Sequence, residues 1–290
     1  MRHLADSFFD KLKNGDKQFH KILEIVRCDD TLDLELRGDY CTIYYRGGRL
    51  LSFTEDGKLS GLDRKYLKPD EEPMEAKLSD VRAYITWAKQ EIDYYVRKER
   101  NHLGEKEIQQ LIVRENNYSP NAPDTDFFIV DMEYQDGSDK RFDLVALRWD
   151  STSSARRTGK VKLYVIEVKQ GFGAVRTIAG SGLKKHLEDF QKFSKNTKDF
   201  KEDMIKVFQQ KFDLGLLRDV DNLKEKVKQL KVDEDVEFAC IMANYKPASK
   251  ELLNELEEIS DCQFFTSSLI GYGLYSKFLV GKDTVIKLLK

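Results

Sequence analysis

The first 62 residues combine two patterns of apolar and polar positions. From residue 5 to residue 26, apolar side chains recur at helical spacing, which predicts a helix that Gly15 weakens near its middle. Four short segments with strand character follow at 32–36, 40–45, 49–53 and 58–62, separated by turn-forming residues. This region is therefore predicted to be a small α+β unit in which one helix precedes an antiparallel meander.

The rest of the chain mixes longer helices with apolar strands. The stretch 68–73 is polar and holds two of the five prolines, which predicts a domain boundary near residue 75. Helices are predicted from Ser79 onward and at 104–115, 183–193, 199–213, 220–231 and 249–259, and strands at 127–134, 142–149, 161–169, 236–244, 263–267 and 274–279. The predicted fold class is α/β, with a small N-terminal α+β domain at 1–75 and a second domain at 76–290 whose helices flank a mixed β-sheet.

Two of these strands carry charged side chains in otherwise apolar sequence. Asp143 lies in the strand 142–149, and Glu167 and Lys169 lie in 161–169, where strand alternation places both on one face. A carboxylate in so apolar a strand is costly to bury unless a partner such as a metal ion offsets its charge. Hard oxygen ligands suit magnesium, so Asp143 and Glu167 are predicted metal ligands. Lys169 is then placed to orient a water molecule or to hold a phosphate.

A third carboxylate comes from the helix predicted at 104–115. Glu105 is three residues before Ile108 and seven before Ile112, so it lies on the apolar side that faces the sheet. Glu107 lies on a different side of this helix. Glu105 is therefore predicted to be the third acidic residue of the site and a further metal ligand.

A helix glutamate, a strand aspartate and a following Glu-x-Lys strand, in this order, resemble the site of the PD-(D/E)XK nuclease superfamily. The resemblance covers about residues 100–195 and is carried by Glu105, by Asp143 in its apolar strand, and by Glu167-Val168-Lys169. It implies a restriction-endonuclease-like mixed β-sheet core and a nuclease that hydrolyses phosphodiester bonds in DNA with Mg²⁺ or Mn²⁺. It also implies catalytic roles for these four residues, and a setting in restriction-like defence or DNA repair.

The resemblance has one departure and one point of specificity. Phe142 precedes Asp143 where the superfamily pattern has a proline. Other Asp/Glu-x-Lys triplets occur in this charged chain, but only Glu167-Val168-Lys169 lies in a strongly apolar strand that follows a second strand with a central aspartate. The resemblance therefore rests on the combination of elements and not on the triplet alone.

Charge is nearly balanced over the whole chain but not along it. The net charge is −2 for 290 residues, which neither requires nor excludes a polyanionic partner. Between residues 156 and 185, eight Lys or Arg residues accompany a single acid, which predicts that one positive region surrounds the site. The predicted contacts to nucleic acid are Arg156, Arg157, Lys184, Lys185 and Gln191. A further candidate is the aromatic and basic hairpin of Tyr44, Tyr45, Arg46 and Arg49, which could stack on or clamp nucleic acid.

Cysteine usage and hydropathy indicate the cellular environment. The four cysteines are scattered, which predicts reduced thiols in a cytoplasmic protein. No apolar run approaches the roughly 20 residues of a membrane span, so no membrane contact is expected. Residues 1–75 are expected to recognise the substrate or a protein partner, and the sequence leaves a homodimer open.

Three other interpretations compete with a nuclease. A non-catalytic module could keep the nuclease fold and bind nucleic acid or protein. A two-carboxylate glycosidase is disfavoured because Lys169 and the surrounding basic residues suit phosphate better than sugar. Glu167 and Lys169 could also simply face solvent on an amphipathic strand, with no site at all.

Overall fold

The computed structural model is a mixed α/β structure, and in the part of the chain that it describes the strands form two separate sheets. It describes residues 1–15, 17–99, 104–135, 141–170, 182–218, 220–232, 234–243, 250–266 and 271–290. The helices of these ranges are α1 (Asp6–Asn14), α2 (Lys17–Cys28), α3 (Val81–Glu99), α4 (Gly104–Val113), α5 (Ser153–Arg156), α6 (Leu183–Phe193), α7 (Lys198–Asp213), α8 (Lys224–Val227), α9 (Lys250–Glu258) and α10 (Lys282–Leu289). The strands are β1 (Leu32–Leu36), β2 (Tyr40–Tyr45), β3 (Gly48–Thr54), β4 (Leu59–Ser60), β5 (Phe127–Gln135), β6 (Arg141–Arg148), β7 (Lys162–Gln170), β8 (Glu237–Ala243), β9 (Gln263–Phe265) and β10 (Leu279–Gly281).

The first sheet is antiparallel, with its strands in the order β1-β2-β3-β4. α2 packs against β1, and α3 packs against β3. The single helix predicted at 5–26 is wrong, because two helices, α1 and α2, occupy that range. Gly15 ends α1 with a φ of 122°, a conformation that side chains disfavour, so the break falls at the residue that weakened the pattern.

The second sheet is mixed, in the order β10-β9-β8-β7-β6-β5. β5, β6 and β7 pair antiparallel, β7, β8 and β9 pair parallel, and β10 pairs antiparallel with β9. Helices cover both faces of this sheet. Val145 and Val165 belong to the same buried cluster as apolar residues of α6 and α7, whereas Ile166 packs in a second cluster with residues of α4. The prediction of a mixed sheet flanked by helices is therefore confirmed.

The two sheets are joined by buried contacts across the predicted boundary at residue 75. One apolar cluster includes residues of both sheets, and α3, which follows residue 75, packs on the first sheet. Strand β1 lies close to β5, where Arg37 donates hydrogen bonds to Asp131 and to the carbonyl of Met132. Lys211 of α7 pairs with Glu35 of β1 at 2.9 Å, and both side chains are fully buried. The buried packing therefore continues from the first sheet to the second across residue 75, where the composition of the sequence changes.

Two regions near the C-terminus differ from the predicted elements. The segment predicted as a helix at 220–231 contains only a 3-10 turn (Asp221–Leu223) and the short α8. The strand predicted at 274–279 is wrong, because Ser276–Phe278 is a 3-10 turn. Its conformation depends on a distant residue, since both the amide and the hydroxyl of Ser276 donate to Asp126. None of the helices in the described ranges combines the length and apolar character that a membrane span needs.

Candidate active site

Antiparallel pairing of β6 and β7 brings three of the predicted site residues together. Leu144 pairs with Ile166, so the next residues in the same register, Asp143 and Glu167, lie opposite each other on the two strands. Lys169 lies two residues further along β7, and its ammonium is 2.9 Å from Oε2 of Glu167 and 3.5 Å from Oδ2 of Asp143. One ammonium therefore contacts both strand carboxylates, as the strand parity predicted.

Burial distinguishes this arrangement from an amphipathic strand that faces water. Glu167 is fully buried and Lys169 is 4% exposed, although both are charged residues. The amide of Val168 donates a 2.8 Å hydrogen bond to Oδ2 of Asp143, which fixes that carboxylate against β7. The interpretation in which Glu167 and Lys169 simply face solvent is therefore wrong.

The two carboxylates differ in their electrostatic surroundings. Burial raises the pKa of Asp143 well above its ordinary value, and the charges of Glu167 and Glu105 add to this effect while Lys169 opposes it. Burial alone would raise the pKa of Glu167 too, but hydrogen bonds from His186 and Lys169 and the Lys169 charge hold it below its ordinary value. Of the two carboxylates, Asp143 therefore has the higher pKa and Glu167 the lower one.

Lys169 is held in its charged form. Burial would lower the pKa of Lys169, but the charges of Glu167, Asp143 and Glu105 outweigh it and raise the pKa above its ordinary value. The side chain is therefore an ammonium at neutral pH, and its nitrogen has no lone pair that could accept a proton from water. What it can do is donate hydrogen bonds and supply a fixed positive charge.

His186 of α6 is a member of the site that the sequence did not reveal. Its Nδ1 lies 3.2 Å from Oε2 of Glu167. No second histidine or cysteine stands near His186 in the sequence, so residue spacing does not mark it as part of a site. A signal did exist, since His186 is three residues after Leu183 and four before Phe190, which places it on the side of α6 that faces the protein.

Glu105 reaches the site from the other face of the sheet. It lies in the first turn of α4, and Ile108 and Ile112 of the same helix pack against the apolar face of β7 that Ile166 and Val168 form. Its Oε2 accepts a hydrogen bond of 3.3 Å from the amide of Gln170, at the end of β7. Glu105 thus lies beside the site, close enough for its charge to raise the pKa values of Asp143 and Lys169.

The two strand carboxylates suit a hard divalent cation. Oε1 of Glu167 is buried and has no hydrogen-bond partner among the described residues, which is a costly state that a bound cation would relieve. No three His, Cys, Asp or Glu side chains of the described ranges are arranged to hold a metal ion. Asp143 and Glu167 are therefore the pair to which a metal would bind, with water and substrate completing the coordination. Glu105 does not form a three-carboxylate group with them.

The basic residues expected around the site divide between two ends of the sheet. Arg156 and Arg157 lie in or next to α5, in the connection from Arg148 at the end of β6 to Lys162 at the start of β7. That end of the ladder is about 17 Å along the strands from Asp143, at roughly 3.4 Å per residue. The prediction that one positive region surrounds the site is therefore wrong, because the order of charges along the chain ignores the direction of the strands.

At that far end of the sheet, Arg156 forms contacts within the protein. Its guanidinium donates to the carbonyls of Trp149, Asp150 and Thr125, and it lies over the rings of Trp149 and Phe128. Burial lowers the pKa of Arg156 to about 10. These contacts hold the connection between β6 and β7 in place, so Arg156 is not a free phosphate ligand.

The other three predicted contacts lie on α6, the helix that carries His186. Lys184 is exposed two residues before it, and Lys185 pairs with Asp189 in the next turn. Gln191 is exposed and lies 3.4 Å from the hydroxyl of Ser260. These residues flank the site, and their contacts to nucleic acid stay a prediction.

In comparisons with known proteins, no family model, curated protein or solved structure matches the chain. A function for this protein therefore follows from its own residues and their geometry. Membership of the PD-(D/E)XK superfamily, which the sequence resembles, stays a prediction.

Proposed function

We propose that this protein is a metal-dependent nuclease that hydrolyses phosphodiester bonds in DNA, with a restriction-endonuclease-like core of the PD-(D/E)XK type. The observation that carries the proposal is the buried group of Asp143, Glu167 and Lys169 on adjacent strands, in which one oxygen of Glu167 has no partner among the described residues. A buried charged group of this kind is costly for folding alone. Restriction-like defence or DNA repair is the proposed setting.

Asp143 and Glu167 would hold Mg²⁺ or Mn²⁺, which supplies charge neutralisation at the phosphate and a water of lowered pKa. The hydrogen bond from Val168 to Asp143 and the contact from His186 to Glu167 fix the two carboxylates in position. Glu105 of α4, which lies beside the end of β7, would hold a water of the metal shell or the attacking water. Each of these groups is positioned before substrate binds, which lowers the cost of reorganisation in the transition state.

Lys169 acts in this mechanism through its charge. Since its pKa is raised, it stays an ammonium and cannot remove the proton of the attacking water. It donates instead to a non-bridging phosphate oxygen or to the water, and so stabilises the negative charge that develops on the phosphate oxygens. The water oxygen bonds to phosphorus as the bond from phosphorus to the leaving sugar oxygen breaks. The proton of the water leaves to solvent or to a phosphate oxygen of the substrate, and the leaving sugar oxygen takes up a proton from solvent.

Removal of divalent metal is expected to abolish cleavage. The purified protein, incubated with linear, circular and single-stranded DNA and with RNA, should cut DNA in Mg²⁺ or Mn²⁺ and cut nothing after EDTA treatment. Gel electrophoresis of the products shows which form of nucleic acid the protein prefers to cut. DNA that is bound equally well in EDTA but never cut, with each substrate and each metal, would favour the non-catalytic module.

The DNA path is expected to follow α6 and to avoid the far end of the sheet. Lys184→Gln removes an exposed charge beside the site, so DNA affinity should fall and the slope of log K against log salt should decrease by about 1. Arg157→Gln removes a matched exposed charge beside α5 and should leave both quantities unchanged.

Fluorescence anisotropy in Ca²⁺, in the cleavage-deficient Asp143→Asn background, measures both variants without cutting. A loss of affinity in Arg157→Gln and none in Lys184→Gln would place the DNA at the other end of β6 and β7.

A further inference from the structure

The tip of the β2–β3 hairpin lies directly against the first turn of α4. At Gly47 the backbone has a φ of 75°, and a Cβ atom there would lie 2.5 Å from Cβ of Lys106 and 2.6 Å from its carbonyl carbon. Contact this close is possible only for glycine, because the neighbouring atoms are the backbone of α4 and the Cβ atom attached to it, which cannot move aside. The first sheet therefore touches the turn that carries Glu105.

Hydrogen bonds fix this contact on both elements. Nε of Arg46 donates a 2.7 Å hydrogen bond to Glu107, two residues after Glu105. The amide of Gly47 donates to Oε1 of Gln110 at 2.6 Å, and the amide nitrogen of the same Gln110 donates to the carbonyls of Thr31 and Tyr44. Glu107 and Gln110 of α4 are thus bound to the hairpin tip, to the end of β2 and to the residue before β1.

The same helical turn touches β7 on its other side. Gly104 lies so close to Gln170 that a Cβ atom would be 2.1 Å from its side-chain oxygen. Glu105 accepts the hydrogen bond from the amide of Gln170. The first turn of α4 is therefore held between the hairpin tip and the end of the strand that carries Glu167 and Lys169.

Arg46 also contacts helix α3. NH1 of Arg46 contacts Asp93 of α3 at 2.9 Å, and the hydroxyl of Tyr45 donates to the same carboxylate. These contacts engage Tyr45 and Arg46, two of the four hairpin residues that the sequence suggested for stacking on or clamping nucleic acid. Their geometry serves the packing of α3, the hairpin and α4.

We infer that the β2–β3 hairpin tip positions Glu105 for the metal site, with Arg46 and Gly47 as positioning residues. The inference rests on the proposed function and extends it, because it gives the first 75 residues a role in the chemistry. The Arg46–Glu107 pair is partly exposed, with 31% and 28% of the side chains accessible. Its loss should change the free energy of unfolding little, while a small displacement of Glu105 should weaken the site.

The test is Arg46→Met, measured first by isothermal titration with Mn²⁺ alone. The dissociation constant should rise about 10-fold, the lower range for residues that orient metal-site groups. Cleavage at limiting Mn²⁺ should fall by a similar factor and recover when Mn²⁺ is raised. Arg46→Lys, which keeps the charge, should restore part of the affinity. Recovery by metal separates positioning from general loss of structure.

A double variant and a control complete the design. In a Glu105→Gln background, Arg46→Met should change Mn²⁺ affinity less than about 2-fold, because its effect passes through Glu105. Lys106→Met alters the same turn on its exposed side, where Lys106 pairs with Glu133 at 3.0 Å, and should leave the affinity unchanged.

Wild-type affinity and cleavage in Arg46→Met would overturn the inference, as would an equal effect of Arg46→Met with and without Glu105. A wild-type protein that neither binds Mn²⁺ nor cleaves DNA would overturn the proposed function itself, and this inference with it. The two failures are therefore distinguishable from the wild-type measurement alone.

Discussion

Asp143→Asn is expected to lower the rate of DNA cleavage about 1,000-fold or more, because charge stabilisation by a metal is worth several kcal/mol and each 1.4 kcal/mol is about tenfold. The substitution removes one of the two carboxylates that face Lys169, and with it a predicted metal ligand. The amide oxygen of Asn can still accept the hydrogen bond from Val168, so the contact between β6 and β7 persists.

Single-turnover cleavage in Mg²⁺ measures this effect, and circular dichroism with thermal unfolding establishes that the variant folds. Asp150→Asn is the matched control, because Asp150 follows the opposite end of β6, where it pairs with Arg148. It should retain the wild-type rate. A folded Asp143→Asn protein that cuts as fast as wild type would exclude Asp143 from the site.

Lys211→Met is expected to lower the free energy of unfolding by about 3–5 kcal/mol, the usual cost of removing one partner of a buried ion pair. Lys211 and Glu35 are both fully buried, and the second oxygen of Glu35 has no hydrogen-bond partner among the described residues, although Arg37 lies 3.9 Å from it. The variant leaves Glu35 either charged with only this more distant cation beside it or obliged to take up a proton. Replacing both residues, as in Glu35→Leu with Lys211→Met, should recover much of the loss.

Urea denaturation followed by circular dichroism measures these stabilities, and Lys228→Met, which removes an exposed pair with Glu225, should behave as wild type. The loss should also depend on pH. Burial raises the pKa of Glu35 well above its ordinary value, and an acid whose folded-state pKa is raised destabilises the protein as pH rises. Lys211→Met should therefore lose less stability at about pH 5 than at about pH 8. Equal losses in the single and double variants would show that packing, not charge, dominates there.

Local patterns in the sequence were enough to identify the strand residues of the site. Strand alternation fixes the relation of Glu167 to Lys169, and two apolar strands in succession pair readily as neighbours, which brings Asp143 to the same edge. The parity of a strand depends on its own residues alone. This is why the three side chains could be predicted together before any tertiary contact was known.

The remaining members of the site depend on tertiary contacts that no local pattern contains. His186 reaches Glu167 only because α6 packs across the face of β7. The sequence of α6 alone does not determine the angle of that packing. Arg157 was misplaced for the opposite reason, since it is close to Glu167 in sequence but lies past the far end of an antiparallel pair. Closeness along the chain predicts closeness in space only within one turn or one strand pair.

The helices and strands also divide into those that local sequence predicts and those that depend on distant residues. β1, β2 and α6 have the predicted bounds, because clear turn signals and strong periodicity define their ends. The terminal helix α10 was not predicted, and four of its eight residues are exposed. Asp126 decides the conformation of Ser276 from 150 residues away.

The buried pair of Glu35 and Lys211 also sets an order of events during synthesis on the ribosome. The two residues are 176 positions apart, and at about 5–20 residues per second the ribosome needs about 9 to 35 s to add Lys211 after Glu35. Throughout that interval β1 can form its sheet and Glu35 can pair with Arg37, which lies 3.9 Å away, but the closer cation Lys211 is still missing. The nascent chain therefore carries an incomplete charge network around Glu35 until most of the protein has been made, and this is the stage at which chaperones would have most to protect.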